Sequence, residues 1–245
     1  MVDVKDTINM KIVISQPMFF PWVGLFEQIQ LADIYVHYND VQFSKGSFVN
    51  RVQIKTNKGS QWLTVPLQNL TLGQEIREVE LSQKKWRASH LAFLSQSYAK
   101  APYKNDMIKL VEQVYKNDYT NMSELAIASI ETVCSYLGIG NHTNFLYSSH
   151  LGIEGKSDQR VLEIVKYLKG TTYVTGHGAR NYLDHELFEG EGVTVEYMNY
   201  QKKAYPQLHG GFTPYVSVLD LIANVGQEGG KVISPTTINW KEFLK

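Results

Sequence analysis

The sequence predicts an α/β fold: a three-layer sandwich around a mainly parallel, Rossmann-like sheet, with an inserted β-hairpin and a helical middle section. Three observations carry this expectation. Residues 11–36 read as strand, loop, helix and strand, the βαβ unit that joins parallel strands by a right-handed crossover. Strand-like and helix-like runs alternate again from residue 144 to residue 225. Between them, about 83–138, the chain reads as helices alone.

Each element has its own signal. Lys11 to Ser15 (KIVIS) is a β-branched run ended by Gln16-Pro17, as a buried strand requires. After the loop Pro17 to Trp22, Val23 to Ala32 places apolar residues at helical spacing, and Ile34 to Val36 is the next strand. Phe48 to Thr56 and Gln61 to Leu67 flank Asn57-Lys58-Gly59, a three-residue hairpin turn, and Ile76 to Leu81 reads as a third strand, so the insertion covers about 44–81. Helices follow from Ser82 or Gln83 to about Lys100, from Asn105 to Lys116, and from Asn121 to Leu137, the last closed by Gly138. Asn144 to Ser148 is a strand. Ser157 or Asp158 opens a helix to Leu168 that Gly170 closes. Thr171 to Thr175 and Val193 to Met198 are strands, with a short helix near Tyr182 between them. Val218 to Val225 is a helix ended by Gly226. Residues 1–9 read as a loose tail, and 10–245 as one α/β domain.

Composition bounds the function. With 24 basic and 24 acidic residues there is no basic footprint of a nucleic-acid binder, so an anionic ligand has to be met by a local cluster. The single cysteine, Cys134, excludes an intrachain disulfide and a CxxC zinc site, and suits a reducing cytoplasm. It lies among apolar neighbours in a helix, the setting of a buried structural thiol. No apolar run is long enough to span a bilayer. The seven histidines make no HxxxH or HExxH spacing, so no metal is expected. A P-loop and a GxSxG elbow are also absent.

In open parallel sheets ligands bind beyond the carboxyl ends of the strands. Three loops fall there: Gln16 to Gly24, the loop from Asp40, and Gly176 to Tyr182. The first is stiffened by two prolines and leads to a helix N-terminus that suits an anion. Asp40, at a strand end, suits a base or an orienting carboxylate, and equally a turn-forming residue. Gln42 and Asn50 suit sugar hydroxyls. Arg51 and Lys55, four apart on one strand face, suit a diphosphate, with a solvated charged face as the plain alternative. His177 and His209 stand out because glycines flank them. Gly210 and Gly211 offer backbone N–H groups to an oxyanion. Trp22 and Trp62 suit stacking on a base or a sugar face. Tyr205 to Asp220 is a dense aromatic, Pro and Gly segment of the functional-loop kind, in which Asp220 occupies the first turn of a helix.

With these segments in hand, the chain resembles the WbqC-like protein family. The resemblance is carried by ISQPMFFPWVGLFEQI (14–29), DIYVHYNDVQFSKGSFVNRVQIK (33–55), QWLTVPL (61–67), GHGARNYLD (176–184) and YPQLHGGFTPYVSVLDLIAN (205–224). The motif residues include Gln16, Pro17, Trp22, Asp40, Gln42, Asn50, Arg51, Trp62, Tyr205, Gln207, His209 and Asp220. The resemblance implies a role in bacterial surface-polysaccharide (O-antigen, lipopolysaccharide) biosynthesis, linked with amino-dideoxy sugars whose amine is acylated or aminoacylated. The expected activity is therefore N-acyl or aminoacyl transfer to a nucleotide-linked amino sugar, with His209 as base and Asp40 as the second candidate. Gln16, Trp22, Gln42, Asn50, Arg51, Lys55, Trp62, His177, Tyr205, Gln207, Gly210 and Gly211 are the expected substrate-binding residues. The donor would be an acyl thioester of coenzyme A or of an acyl carrier protein, and no cofactor is required. A non-catalytic scaffold of a polysaccharide-assembly complex, and an enzyme activating a carboxylate with ATP, are the alternatives. A homo-oligomer stays open, and no nucleic-acid partner is expected.

Overall fold

A computed structural model describes residues 9–245 of the chain. Its strands are β1 (Lys11–Ser15), β2 (Ile34–His37), β3 (Arg51–Thr56), β4 (Gly59–Thr64), β5 (Leu67–Gln68), β6 (Glu80–Leu81), β7 (Asn144–Tyr147), β8 (Thr172–Thr175), β9 (Thr194–Met198) and β10 (Thr237–Asn239). Its helices are α1 (Val23–Leu31), α2 (Trp86–Ser97), α3 (Lys104–Tyr115), α4 (Met122–Leu137), α5 (Ser157–Tyr167), α6 (His185–Gly190), α7 (Val218–Val225) and α8 (Trp240–Phe243).

Six strands form one sheet in the order β10-β9-β8-β1-β2-β7, parallel except for β10. Alternation along each strand divides the core into two layers. Ile12, Ile14 and Val36 face Leu162, Val165, Phe188 and Tyr197 on one side. Val13, Tyr35 and Val174 face α1, α4 and α7 on the other, in a larger core that also takes in Val52, Ile54 and Leu63 of the hairpin. This is the expected three-layer sandwich.

The chain runs outward from β1 to β2 and β7, then returns to the other side of β1 for β8, β9 and β10. The strand order therefore reverses between β1 and β8, and the loops leaving these two strands diverge there. Such a switch point opens a crevice at the carboxyl edge of a sheet.

Three glycines are fixed by geometry. Gly138 closes α4 with a left-handed φ of 66°. A Cβ on Gly170 would lie 2.3 Å from Ile12 Cγ1, and one on Gly24 would lie 2.1 Å from the Trp22 ring. Both sites need a bare Cα.

Several elements differ from expectation. The hairpin turn is tighter than three residues: Thr56 pairs with Gly59 (φ 89°), leaving only Asn57-Lys58 between them. Residues 76–81 are not a third strand of the hairpin. Ile76–Glu78 is a 3-10 turn bracketed by reciprocal Glu75 and Glu78 backbone contacts, and β6 pairs with β5 in a separate ladder. The helix after it starts at Trp86, not Ser82. The short helices α6 and α8, and β10, had no periodic signal. The expected 1–9 tail lies outside the described residues except for Asn9, whose Oδ1 accepts from the Thr171 and Thr172 hydroxyls.

Candidate functional site

The crevice between β1 and β8 holds a cleft of about 550 Å³. That is within the range of small-ligand pockets. Gln16, Met18 and Trp22 line it from the loop after β1, and Gln28 from α1. Gly176, His177 and Tyr182 come from the loop after β8, Tyr38 from the end of β2, and Tyr215 from the segment before α7. Apart from the titratable His177, the lining is aromatic, aliphatic and neutral polar.

The first loop is shaped by its aromatics. Phe19 and Phe20 turn into the core, and the Phe20 N–H donates to Ser129 Oγ at 2.9 Å. That leaves Met18 and Trp22 toward the cleft. The Trp22 ring meets Tyr200 edge-on at 4.9 Å and Tyr215 at 5.8 Å, forming one wall. Val23 and Gly24 are buried beneath this ring, so the start of α1 is covered and does not form the expected anion site.

His177 is exposed in the cleft. Its Nε2 lies 2.7 Å from the Met198 carbonyl oxygen. A carbonyl only accepts, so Nε2 carries the proton and the Nδ1 lone pair is left for chemistry. Burial raises the Tyr38 and Tyr182 phenols above their usual range, so both remain neutral hydrogen-bond donors at the wall. Gly176 lets the Gln28 amide approach, since a Cβ there would stand 3.2 Å from Nε2. Lys202 lies over the cleft residue Tyr215 at 5.4 Å, and Arg180 lies over Phe243 at 5.7 Å.

Of the sequence candidates, the cleft brings together Gln16, Trp22 and His177. Asp40 lies in a neighbouring, more polar cavity of about 750 Å³, together with Gln42; the two cavities share Tyr38. Asp40 is held by Arg160 Nη2 at 2.6 Å and by the Ser148 hydroxyl at 2.5 Å. Burial alone would raise its pKa, but these donors outweigh it and hold the carboxyl below its ordinary range, unsuited to a base near neutral pH.

The remaining candidates sit around the hairpin. Asn50 is buried and donates to the Val65 carbonyl. Arg51 donates to the Gly46 carbonyl and stacks on Trp62 at 4.1 Å, beside exposed Phe48. Lys55 is only 5% exposed, and its ammonium donates to Gln207 Oε1, Gly210 O and Gly211 O at 3.0, 3.3 and 2.5 Å. It has no proton left for a diphosphate. Gly210 and Gly211 therefore present carbonyls inward, to Lys55. His209 (φ 66°) is exposed and its Nε2–H donates to Ser97 O at 2.7 Å. Tyr205 is buried and its hydroxyl accepts from Gln207 Nε2 at 3.0 Å. Asp220 is fully buried; desolvation pushes its carboxyl up to about 6, against the hydrogen bond from Tyr98 Oη at 3.1 Å and the Lys55 charge.

Gln28, Tyr38, Tyr182 and Tyr215 were missed as lining residues. Tyr38 had a readable signal, since it directly follows a strand that ends at the ligand-binding edge. Cys134 is buried, as expected, and burial pushes its thiol up to about 12. Among the described residues no cluster of three metal-ligating side chains exists, and no helix is long and apolar enough to cross a membrane.

Fold and site together define a mainly parallel α/β sandwich with a ligand-sized cleft at the switch point of its sheet. The chain belongs to the WbqC-like protein family, whose model matches residues 16–232. It is 34% identical over 221 residues to "Uncharacterized protein Rv1507c" of Mycobacterium tuberculosis (strain ATCC 25618 / H37Rv), across 89% of this chain and 95% of that protein. No solved structure matches it.

Proposed function

We propose that the chain transfers an acyl or aminoacyl group to the amine of a nucleotide-linked amino-dideoxy sugar, within the β1/β8 cleft. The observation that carries this reading is His177: it lines a cleft of amides and aromatic rings, its Nε2–H is committed to the Met198 carbonyl, and its Nδ1 makes no hydrogen bond to the described residues. Amides and phenols match sugar hydroxyls, and aromatic faces cover apolar ring surfaces, as a deoxy sugar presents. The resemblance to proteins of surface-polysaccharide biosynthesis adds the acceptor class.

The chemistry is balanced with a thioester donor, on coenzyme A or an acyl carrier protein. The sugar amine attacks the carbonyl carbon and a C–N bond forms. His177 Nδ1 takes the proton that the nitrogen loses. The C–S bond then breaks, and His177 returns the proton to the departing thiolate. Gln16 is the amide this reading assigns to orienting the acceptor, beside Gln28, whose Nε2 is held by Met198 Sδ at 3.0 Å. On this reading Lys202, over the cleft residue Tyr215, and Arg180, next in sequence to the cleft residue Ala179, are the cations assigned to a diphosphate.

A thermal-shift panel tests the acceptor class. A ligand at 100 times its dissociation constant adds about 2.7 kcal/mol. A larger shift with a nucleotide-linked amino sugar than with the bare nucleoside diphosphate supports the reading, and equal shifts, or none, refute the acceptor. A second reading, a binding protein in a polysaccharide-assembly complex, is favoured by the Phe48–Trp62 pair. Both rings are 43% exposed and 5.7 Å apart, with Arg51 over Trp62, a residue set enriched in protein interfaces. Tight partner binding lost in Trp62→Ala, without turnover, would establish it.

A further inference from the structure

Segment 199–217, between β9 and α7, supplies Tyr215 and Tyr200 to the aromatic wall of the cleft. It has almost no regular structure, so something else must hold it. Its far end is pinned by backbone bonds: Ser217 N–H to Gln53 O at 2.9 Å and Val218 N–H to Pro21 O at 2.8 Å. Its middle is held by buried charge. Lys55 reaches up from β3, and its three ammonium contacts all go to this segment: Gln207 Oε1, Gly210 O and Gly211 O. Gln207 also accepts from the Thr213 N–H at 2.9 Å and donates to the Thr213 carbonyl at 3.0 Å, which closes the 207–213 loop on itself. Beneath lies Asp220, bonded by Tyr98 Oη at 3.1 Å and near enough to Lys55 to feel its charge. Tyr200 Oη donates to Pro214 O at 3.1 Å, next to Tyr215.

We propose that Lys55 and Gln207 are positioning residues: they act as a clasp that locks segment 199–217 so that Trp22, Tyr200 and Tyr215 form the wall of the cleft. A buried ammonium is tolerated only while its acceptors are in place. Lifting the loop would strand Lys55 without partners, so the clasp has a closed state and a costly open one. The Gln207–Thr213 pair moves with the loop, so the segment lifts as one body and the contacts that break are those of Lys55. The role of this clasp in catalysis rests on the cleft being the transfer site; the clasp itself does not.

Residue-resolved amide hydrogen exchange on Lys55→Met tests it. The amides of Thr213, Ser217 and Val218 are expected to exchange about 10- to 100-fold faster, the scale of lost charge-assisted hydrogen bonds. Those of β1 and β8 should stay within about twofold of wild type, since local opening leaves the core closed. Gln207→Ala, which deletes the acceptor of the Thr213 amide and is therefore read at Ser217 and Val218, keeps the lysine and serves should Lys55→Met not fold. In both variants the affinity for a nucleotide-linked amino sugar should fall about tenfold or more. Unchanged exchange in the segment, or equal acceleration in every element, overturns the proposal. If wild type binds no amino-sugar nucleotide, the transfer reading falls, while the exchange pattern still decides the clasp.

Discussion

Gly24→Ala is the substitution for which local and tertiary physics disagree most clearly. Gly24 sits in the first turn of α1, where alanine is better than glycine by about 1 kcal/mol in an isolated helix. Here, however, the added Cβ would stand 2.1, 2.2 and 2.8 Å from three carbons of the Trp22 ring. No carbon tolerates such distances, so the ring has to swing away. That ring is fixed by Tyr200 at 4.9 Å and Tyr215 at 5.8 Å. Losing these aromatic contacts costs about 0.5–1.5 kcal/mol, and residual overpacking a further 1–3 kcal/mol. Against the propensity gain, the expected net loss is about 2 kcal/mol. For a chain of this size that lowers Tm by about 4–8 °C. Differential scanning calorimetry measures the loss, and near-UV circular dichroism reports the Trp22 environment. The affinity of the cleft for its ligand should fall with them. An alanine variant as stable as wild type or more so, with an unchanged aromatic spectrum, would falsify the packing argument.

Other consequences follow from the same geometry. Gly170→Ala should destabilise by about 1–3 kcal/mol in urea unfolding, because its Cβ meets Ile12 Cγ1 at 2.3 Å inside the core. Asp40→Ala should cost about 1–3 kcal/mol, because Arg160 loses its carboxylate partner but keeps the Ile153 carbonyl and lines the polar cavity; no measurable loss would contradict the ion-pair reading. The Asp220 carboxyl has a folded pKa near 6, above its ordinary 3.8, because burial disfavours the charge. Its contribution to stability is therefore full below the unfolded pKa and lost as pH rises through about 6. Relative to Asp220→Asn, wild type should lose about 2 kcal/mol between about pH 4.5 and 7.5, and a flat difference would refute this. Cys134, with its thiol pushed up to about 12 by burial, should react with iodoacetamide near pH 8 only as fast as the chain unfolds.

Much of the fold was legible because its signals are local. KIVIS, the 23–32 periodicity and the Gly138 stop each state their element in a few residues, and β1, α1 and α4 lie where these place them. β10 and α8 were not legible: three and four residues are too few to show a period, and tertiary pairing with β9 decides them. The location of the cleft was legible in part. The loops after β1 and β8 follow from strand order, and they carry Gln16, Trp22 and His177 into it. Side-chain direction did not follow. Lys55 alternates onto the expected face with Arg51, yet that face is roofed by segment 205–213, which no local pattern reveals. His209 and His177 look alike in sequence, each next to glycine; strand order puts the His177 loop at the cleft, whereas nothing local shows that His209 Nε2 is spent on Ser97 O.

The most direct test of the central claim is thiol release from an acyl thioester in the presence of a nucleotide-linked amino sugar, measured for wild type and His177→Gln. Glutamine keeps a side-chain donor for the Met198 carbonyl but offers no basic nitrogen. The account predicts release that depends on the sugar amine, with kcat about 10²–10⁴-fold lower in the variant while binding of the sugar is retained. Equal rates in the two proteins, or no amine-dependent release by wild type with any donor, would contradict it.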